Sequence, residues 1–321
     1  MHFLLALIAA LLFAYSAEAQ RLERATDAMG ATFSIVLYGD DQASMNQAVD
    51  AAFNEAHRLD ELLSNYRPTS EWSSINREAV AHPVEVSPEL FQLLSDCLDY
   101  SRASEGTFDL TVGPLMRAWG FFGGTHHVPS TDELREARKI VGYQHIRLNA
   151  NERTVQFDRP GVEIDPGGVG KGYAVDRMVE ILRARGFRSA LVAASGSSIY
   201  GLGNPPDESR GWPINIADPW DHRNNAAQVF LKDMSLSTSG AYEKSFRVAG
   251  HRYSHIMDPR RAAPAENAVQ VTVLAPRTID SEVWAKPYFI QGRDWTSVHK
   301  PNLWRVLYCA NTPGAPCSWI E

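Results

Sequence analysis

The stretch Asp165-Pro-Gly-Gly-Val-Gly-Lys-Gly-Tyr-Ala-Val-Asp176 concentrates residue types that handle phosphate. It falls between a strand expected at Val162–Ile164 and an amphipathic helix expected from Tyr173 to about Arg185, with Ala174, Met178, Ile181 and Leu182 on one face. A glycine loop at a helix N-terminus offers unpaired backbone N–H groups and the positive end of the helix dipole, which suits a phosphate-bearing ligand. Lys171 adds a point charge there, and Asp165 an acceptor for a ribose, amide or base N–H group. The loop is not a P-loop, because Gly172 stands where Ser or Thr should hold magnesium, and it lacks the G-x-G-x-x-G spacing of a dinucleotide fingerprint. A tight strand-to-helix turn with a solvated lysine is the competing role.

The elements that must position this loop are legible from periodicity. Thr32–Tyr38 alternates as a strand, and Asp41 to about Tyr66 repeats apolar residues as a long helix. Pro88–Ala103 is a second helix with Ser87 as N-cap and Pro88 at its first position. Thr131–Val141 is a third helix, and His145–Leu148 with Thr154–Phe157 forms a hairpin around Asn149-Ala-Asn. Further strands are expected at Ser189–Ala193, Pro213–Ala217, Gln228–Leu231, Met234–Ser237, Ser245–Val248 and Val269–Leu274, and a last helix at Asp280–Gln291. Strands outnumber crossovers, so the expected class is α+β with mostly antiparallel sheets and packed helices.

Bulk properties narrow the functions. The 321 residues are 44% hydrophobic and 21% charged, as in an ordinary globular protein. A net charge of −7 with no basic stripe argues against nucleic acid. Residues 3–15 are apolar and Ala17-Glu18-Ala19 is a small-x-small pattern, so residues 1–19 are expected to be a secretory signal peptide. The apolar run is too short for a membrane span. The expectation is a periplasmic or otherwise exported protein, with residues 20–321 forming one domain. Cys309 and Cys317 close a short loop and are expected to pair in an oxidising compartment, while Cys97 is expected inside a helix core. His126, His127 and His251 sit in loops without an evident carboxylate partner and are expected on the surface.

Six segments, in order, resemble the FAD:protein FMN transferases of the ApbE type. They are Met29-Gly-Ala-Thr-Phe; Leu62–Glu71 with Ile75-Asn76; Gly106–Leu115 with Trp119-Gly-Phe121; Asp165–Asp176; Ser237-Thr-Ser-Gly240; and His255-Ile-Met-Asp-Pro259. The resemblance implies a T-fold-like flavin transferase architecture that binds FAD with Mg²⁺ on its pyrophosphate, releases AMP and attaches FMN to a Ser or Thr of an exported acceptor protein. By position, Met29, Tyr66, Thr107, Phe108, Asp109, Asp165, Lys171 and Ile256 would line the flavin nucleotide. His255 would be the base beside the acceptor hydroxyl, and the backbone carbonyl of Gly168 would face the metal. Each has a plainer role open to it: a strand-end histidine bonded to a carbonyl for His255, core packing for Tyr66 and Phe108, a cap before Thr111 for Asp109, and a cap or a pair to Lys171 for Asp165.

The departures from the family pattern gather at the metal. Its last site segment carries an Asp and, four residues on, a Thr, which both hold Mg²⁺. Counting back from Phe289 and Gly292 puts Glu282 and Lys286 at those positions. Glutamate remains a hard oxygen ligand, whereas a charged ammonium has no lone pair to give. A register using Asp280 instead would put Trp284 on the Thr position. Ser195-Gly-Ser-Ser198 carries Ser197 where the family has a glycine, and no glycine follows Asp258-Pro259. Two outcomes stand open: Lys286 neutralises the pyrophosphate in place of the cation, or the protein binds FAD without transfer.

Overall fold

Alternation in the first strands sets the architecture, because it sends Phe33, Ile35 and Leu37 to one face, where each is fully buried. The structure, a computed structural model, describes residues 19–321, so residues 1–18 of the expected export signal lie outside it. Strands β1 (Gln20–Ala28) and β2 (Ala31–Gly39) form a hairpin whose two turn residues, Met29 and Gly30, have φ of 52° and 66°. Positive φ at both positions matches strand twist in a tight hairpin, at a cost in strain for Met29. Helix α1 (Gln42–Leu63) is capped by Asp41, whose carboxylate accepts from the Ser44 N–H at 2.8 Å.

A side lobe follows. It holds α2 (Glu71–Glu78), β3 (Val84–Glu85), α3 (Pro88–Ala103), a 3-10 turn at Leu110–Val112, α4 (Gly113–Ala118), α5 (Thr131–Ile140), β4 (Ile146–Asn149) and β5 (Thr154–Phe157). A second 3-10 turn, Pro166–Gly168, leads into α6 (Gly170–Ala184). Then come β6 (Ala190–Ala194), β7 (Ser198–Leu202), β8 (Trp212–Ala217), β9 (Asn225–Leu231) and β10 (Met234–Gly240). Short ribbons β11 (Ser245–Val248) with β12 (His251–Ser254), and β13 (Met257–Asp258) with β14 (Ala263–Pro264), precede β15 (Ala268–Ala275). Helices α7 (Thr278–Gln291) and α8 (Arg293–His299) and strands β16 (Arg305–Ala310) and β17 (Ser318–Ile320) close the chain.

One eight-stranded sheet, ordered β1-β2-β6-β7-β10-β15-β16-β17, is antiparallel at every pairing. Helices α1 and α6 cover one face, where Phe33, Ile35, Leu37, Met45, Phe53, Met178 and Leu182 pack together. The β8–β9 hairpin covers the other face through Trp212, Val229 and Leu231 against Leu236, Leu274 and Leu307. Coverage on both sides explains why every residue of β7 and β15 is buried. The side lobe has its own core around Trp72, Leu90, Leu94 and Phe157, and its three strands are ordered β3-β5-β4. Met29, Leu62 and Tyr173 pack against both that core and the first one and so join the two.

Three expectations change. Val162–Ile164 forms no strand; the Asn76 and Trp72 side chains hold Ile164 instead. Helix α6 begins at Gly170 rather than Tyr173, which places Lys171 and Gly172 in its first turn. His251 and His127 have carboxylate partners after all, Glu266 at 2.9 Å and Glu133 at 3.9 Å. Cys309 and Cys317 are joined as a disulfide, and Cys97 is buried within α3. Among the described residues, no helix is long and apolar enough to cross a membrane.

Candidate functional site

Asp165 is placed by a clamp on its neighbour. The Asn76 amide on α2 accepts from Ile164 N at 2.8 Å and donates to Ile164 O at 2.9 Å, and the Trp72 indole N–H donates to the same carbonyl at 3.0 Å. The Asp165 N–H donates to Leu110 O at 2.8 Å. So held, the Asp165 carboxylate accepts from Gly167 N at 3.0 Å and from the Asn65 amide at 3.3 Å. Burial raises its pKa, against the Gly167 N–H and the ammonium groups of Lys244 and Lys286.

The glycine loop meets α7 at two points. Lys286 Nζ donates to Gly168 O at 3.0 Å and to Glu282 O at 2.7 Å, and lies 4.0 Å from the Glu282 carboxylate. Burial, with Lys171 nearby, pushes the Lys286 ammonium down to about 8, and Glu282 and Asp165 oppose that shift. The other Glu282 oxygen accepts from Gly172 N, so this buried carboxylate caps the first turn of α6. Only glycine fits there: a Cβ on Gly172 would lie 2.6 Å from Thr278 O and 2.8 Å from Glu282 Oε2. Gly172→Ala should therefore cost about 1–3 kcal/mol of stability in a urea titration; an unchanged midpoint would show that the helices separate freely. Asp176, the last residue of the motif, accepts from Thr278 N at 2.7 Å and Ile279 N at 2.9 Å and so caps α7 from the neighbouring helix.

His255 follows β12 and is half-buried. Its Nδ1 lies 3.1 Å from Lys244 O, so a proton on Nδ1 leaves Nε2 as an acceptor. Burial, with Lys244, Lys286 and Lys171 close by, pushes the imidazole down to about 4, which keeps it neutral at physiological pH. The Trp119-Gly120-Phe121 segment lies against it, with the Phe121 ring 6.5 Å from the imidazole and the Trp119 N–H donated to Ala262 O at 3.2 Å. Gly120 has φ of 70°, and a Cβ there would sit 2.5 Å from Thr125 O. Lys244 was not among the expected site residues. A lysine in a polar loop gives no sequence signal; its position comes from the His255 N–H and Nδ1 both meeting its carbonyl.

The remaining expected residues divide by environment. Tyr66 is 83% exposed, which is incompatible with core packing and leaves its ring open to a partner. Met29 lies at the β1–β2 turn with its sulfur facing the loop at Gly170, and its N–H donates to Asp60 at 3.0 Å. Phe108 is buried directly beneath Gly168. Thr107 Oγ1 donates to Ser104 O at 2.7 Å, and the Ile256 carbonyl accepts from Ala265 N at 2.8 Å; both side chains are buried. Both oxygens of Asp109 are engaged, one by the Thr111 N–H and hydroxyl and one by Tyr143 N at 2.7 Å. Asp109 thus braces the turn that carries Phe108.

These donors do not fit Mg²⁺, which demands near-octahedral oxygen ligands. An ammonium already occupies the Gly168 carbonyl, and Glu282 is committed to α6 and Lys286. Asp280, the alternative in the shifted register, is bound to Tyr100 and Arg277. Among the described residues, no group of three or more His, Cys, Asp or Glu could hold a metal ion.

The glycine loop thus carries an ammonium on its Gly168 carbonyl, and a neutral imidazole is fixed on the Lys244 carbonyl. The chain belongs to the ApbE family, whose model matches residues 29–302. It is 31% identical over 268 residues to an FAD:protein FMN transferase of Klebsiella pneumoniae, covering 82% of this chain and 80% of that one. To one of Chlamydia pneumoniae it is 34% identical, covering 72% and 69%. Its fold superposes on the crystal structure of the ApbE protein of Thermotoga maritima with a TM-score of 0.86, at 29% identity over 94% of this chain and 97% of that one. The flavin transferase ApbE of Vibrio cholerae gives a TM-score of 0.81 at 27% identity, with the same coverage.

Proposed function

We propose that this protein is an FAD:protein FMN transferase acting on exported proteins. The observation that carries the proposal is the Lys286 ammonium seated on the Gly168 carbonyl of the Asp165–Gly172 loop, together with a His255 imidazole that is held on the Lys244 carbonyl and feels the charges of Lys244, Lys286 and Lys171. In this reading the loop amides and ammonium groups hold the FAD diphosphate, and Tyr66, Met29 and Phe108 border the nucleotide. The acceptor Ser or Thr hydroxyl attacks the phosphorus on the flavin side. The bond from that phosphorus to the bridging oxygen breaks, AMP leaves, and His255 Nε2 takes the hydroxyl proton. The protein's share is orientation and charge neutralisation, which phosphoryl transfer chiefly requires. The apolar start of the chain, with its small-x-small pattern, supports export. A flavin binder that no longer transfers finds no support among the relatives, which carry the transferase name.

Incubating the protein with FAD and an exported-protein fraction tests this reading. AMP release together with a flavin-fluorescent protein band is expected, and FAD bound with neither product would refute transfer. The pH dependence is a second check. A histidine depressed from 6.5 to about 4 stays a competent base down to that pH. The acidic limb of kcat/KM, which reports the free enzyme, should therefore fall near 4. An acidic limb at the ordinary histidine value would show that the imidazole is not shielded as described.

A further inference from the structure

We infer that Lys286 replaces the divalent cation in this protein, so that FAD binding and FMN transfer proceed without a metal ion. The inference rests on the transferase reading above, but the geometry that carries it does not. The position expected to ligate Mg²⁺ holds an ammonium whose nitrogen sits 3.0 Å from the Gly168 carbonyl, the very oxygen expected to face the metal. A cation there would compete with that ammonium for the same lone pairs. An ammonium has three N–H donors; two go to Gly168 O and Glu282 O, which leaves one for a phosphate oxygen.

The surroundings are built for the ammonium. The carbon next to Nζ lies 3.7 Å from where a Gly168 Cβ would be, so the loop closes directly on the lysine stem. Glu282, one methylene longer than aspartate, reaches the Gly172 N–H and keeps its second oxygen 4.0 Å from Nζ. In this way the two departures from the family pattern compensate each other. The lysine brings a fixed charge, and the glutamate partners it while capping α6. Lys171 and Lys244 add positive charge that Lys286 or His255 feels. The chemical balance of transfer is unaltered, since the metal neither gains nor loses electrons or protons in it.

The experiment uses the whole protein with FAD, in EDTA and in millimolar MgCl₂, and reads FAD affinity by flavin fluorescence and metal uptake by Mn²⁺ paramagnetic resonance. The expected results are equal affinity in both buffers and no Mn²⁺ held by the FAD complex. Lys286→Met, close in volume and so expected to fold, should weaken FAD binding roughly 10- to 100-fold, with no rescue by Mg²⁺. The double change Lys286→Thr with Glu282→Asp should instead make affinity and AMP release depend on Mg²⁺. Stoichiometric Mn²⁺ uptake by the unaltered protein, or an FAD affinity more than about tenfold tighter in Mg²⁺, would overturn the inference. These binding readouts decide the metal question whether or not AMP appears, whereas the absence of AMP release in both buffers would count against the transferase reading alone.

Discussion

Replacing His255 by glutamine should lower FMN transfer by roughly 100- to 10,000-fold while FAD affinity changes only a few-fold. Glutamine can still donate to the Lys244 carbonyl, the partner that Nδ1 meets at 3.1 Å, so the loop is expected to keep its shape. What it cannot do is accept and carry a proton at neutral pH. The ammonium groups that depress the imidazole are the groups assigned to the diphosphate, and a bound diphosphate offsets their charge. Substrate binding is thus expected to raise the basicity of His255 when a hydroxyl is to be deprotonated. Single-turnover AMP release and equilibrium flavin fluorescence, measured on the same variant, separate the two effects. A glutamine variant that loses FAD binding but keeps its transfer rate at saturating FAD would make His255 a binding residue instead.

Trp72→Ala should destabilise the protein by about 3–5 kcal/mol. Trp72 is fully buried in the side-lobe core, and its indole N–H donates to the Ile164 carbonyl. Removing the ring opens a cavity in the side-lobe core and frees one of the groups that hold the residue before Asp165. Trp72→Phe keeps most of the volume and loses the hydrogen bond, so it should cost about 1–3 kcal/mol and weaken FAD binding beyond what the stability loss explains. Urea unfolding of both variants, beside flavin titrations under folding conditions, checks this. If Trp72→Phe binds FAD as the unaltered protein does, the clamp on Ile164 does not govern the site.

The helices with strong periodicity and local caps were legible from the chain alone. Pro88–Ala103 has the bounds its Ser87 cap and Pro88 imply, because those signals are local. The main-sheet strands that the periodicity does not reveal lack a clean alternation: β1 is an edge strand whose Arg21, Glu23 and Asp27 face water, β7 (Ser198–Leu202) and β16 (Arg305–Ala310) are short runs buried on both faces, and β17 spans only Ser318–Ile320. The run before Asp165 resembles a strand in sequence, but the partners of Ile164 are the Asn76 and Trp72 side chains, which no local pattern reveals. The loop, His255 and the odd pair Glu282 and Lys286 were visible as motif and departure. Their joint geometry was not, since Lys286 meets Gly168 across 118 residues and Asp176 caps α7 across 102. Asp109 shows the reverse: its motif position suggests a ligand contact, while the Thr111 and Tyr143 donors give it a bracing task.

The most direct test is intact-protein mass spectrometry of exported proteins after incubation with this protein and FAD in EDTA, with AMP quantified alongside. The expected result is a mass gain of one FMN unit on a Ser or Thr, one AMP for each modified chain, and loss of both products in Lys286→Met. Modification that appears only when Mg²⁺ is restored, or AMP formed with free FMN and no modified protein, would contradict it.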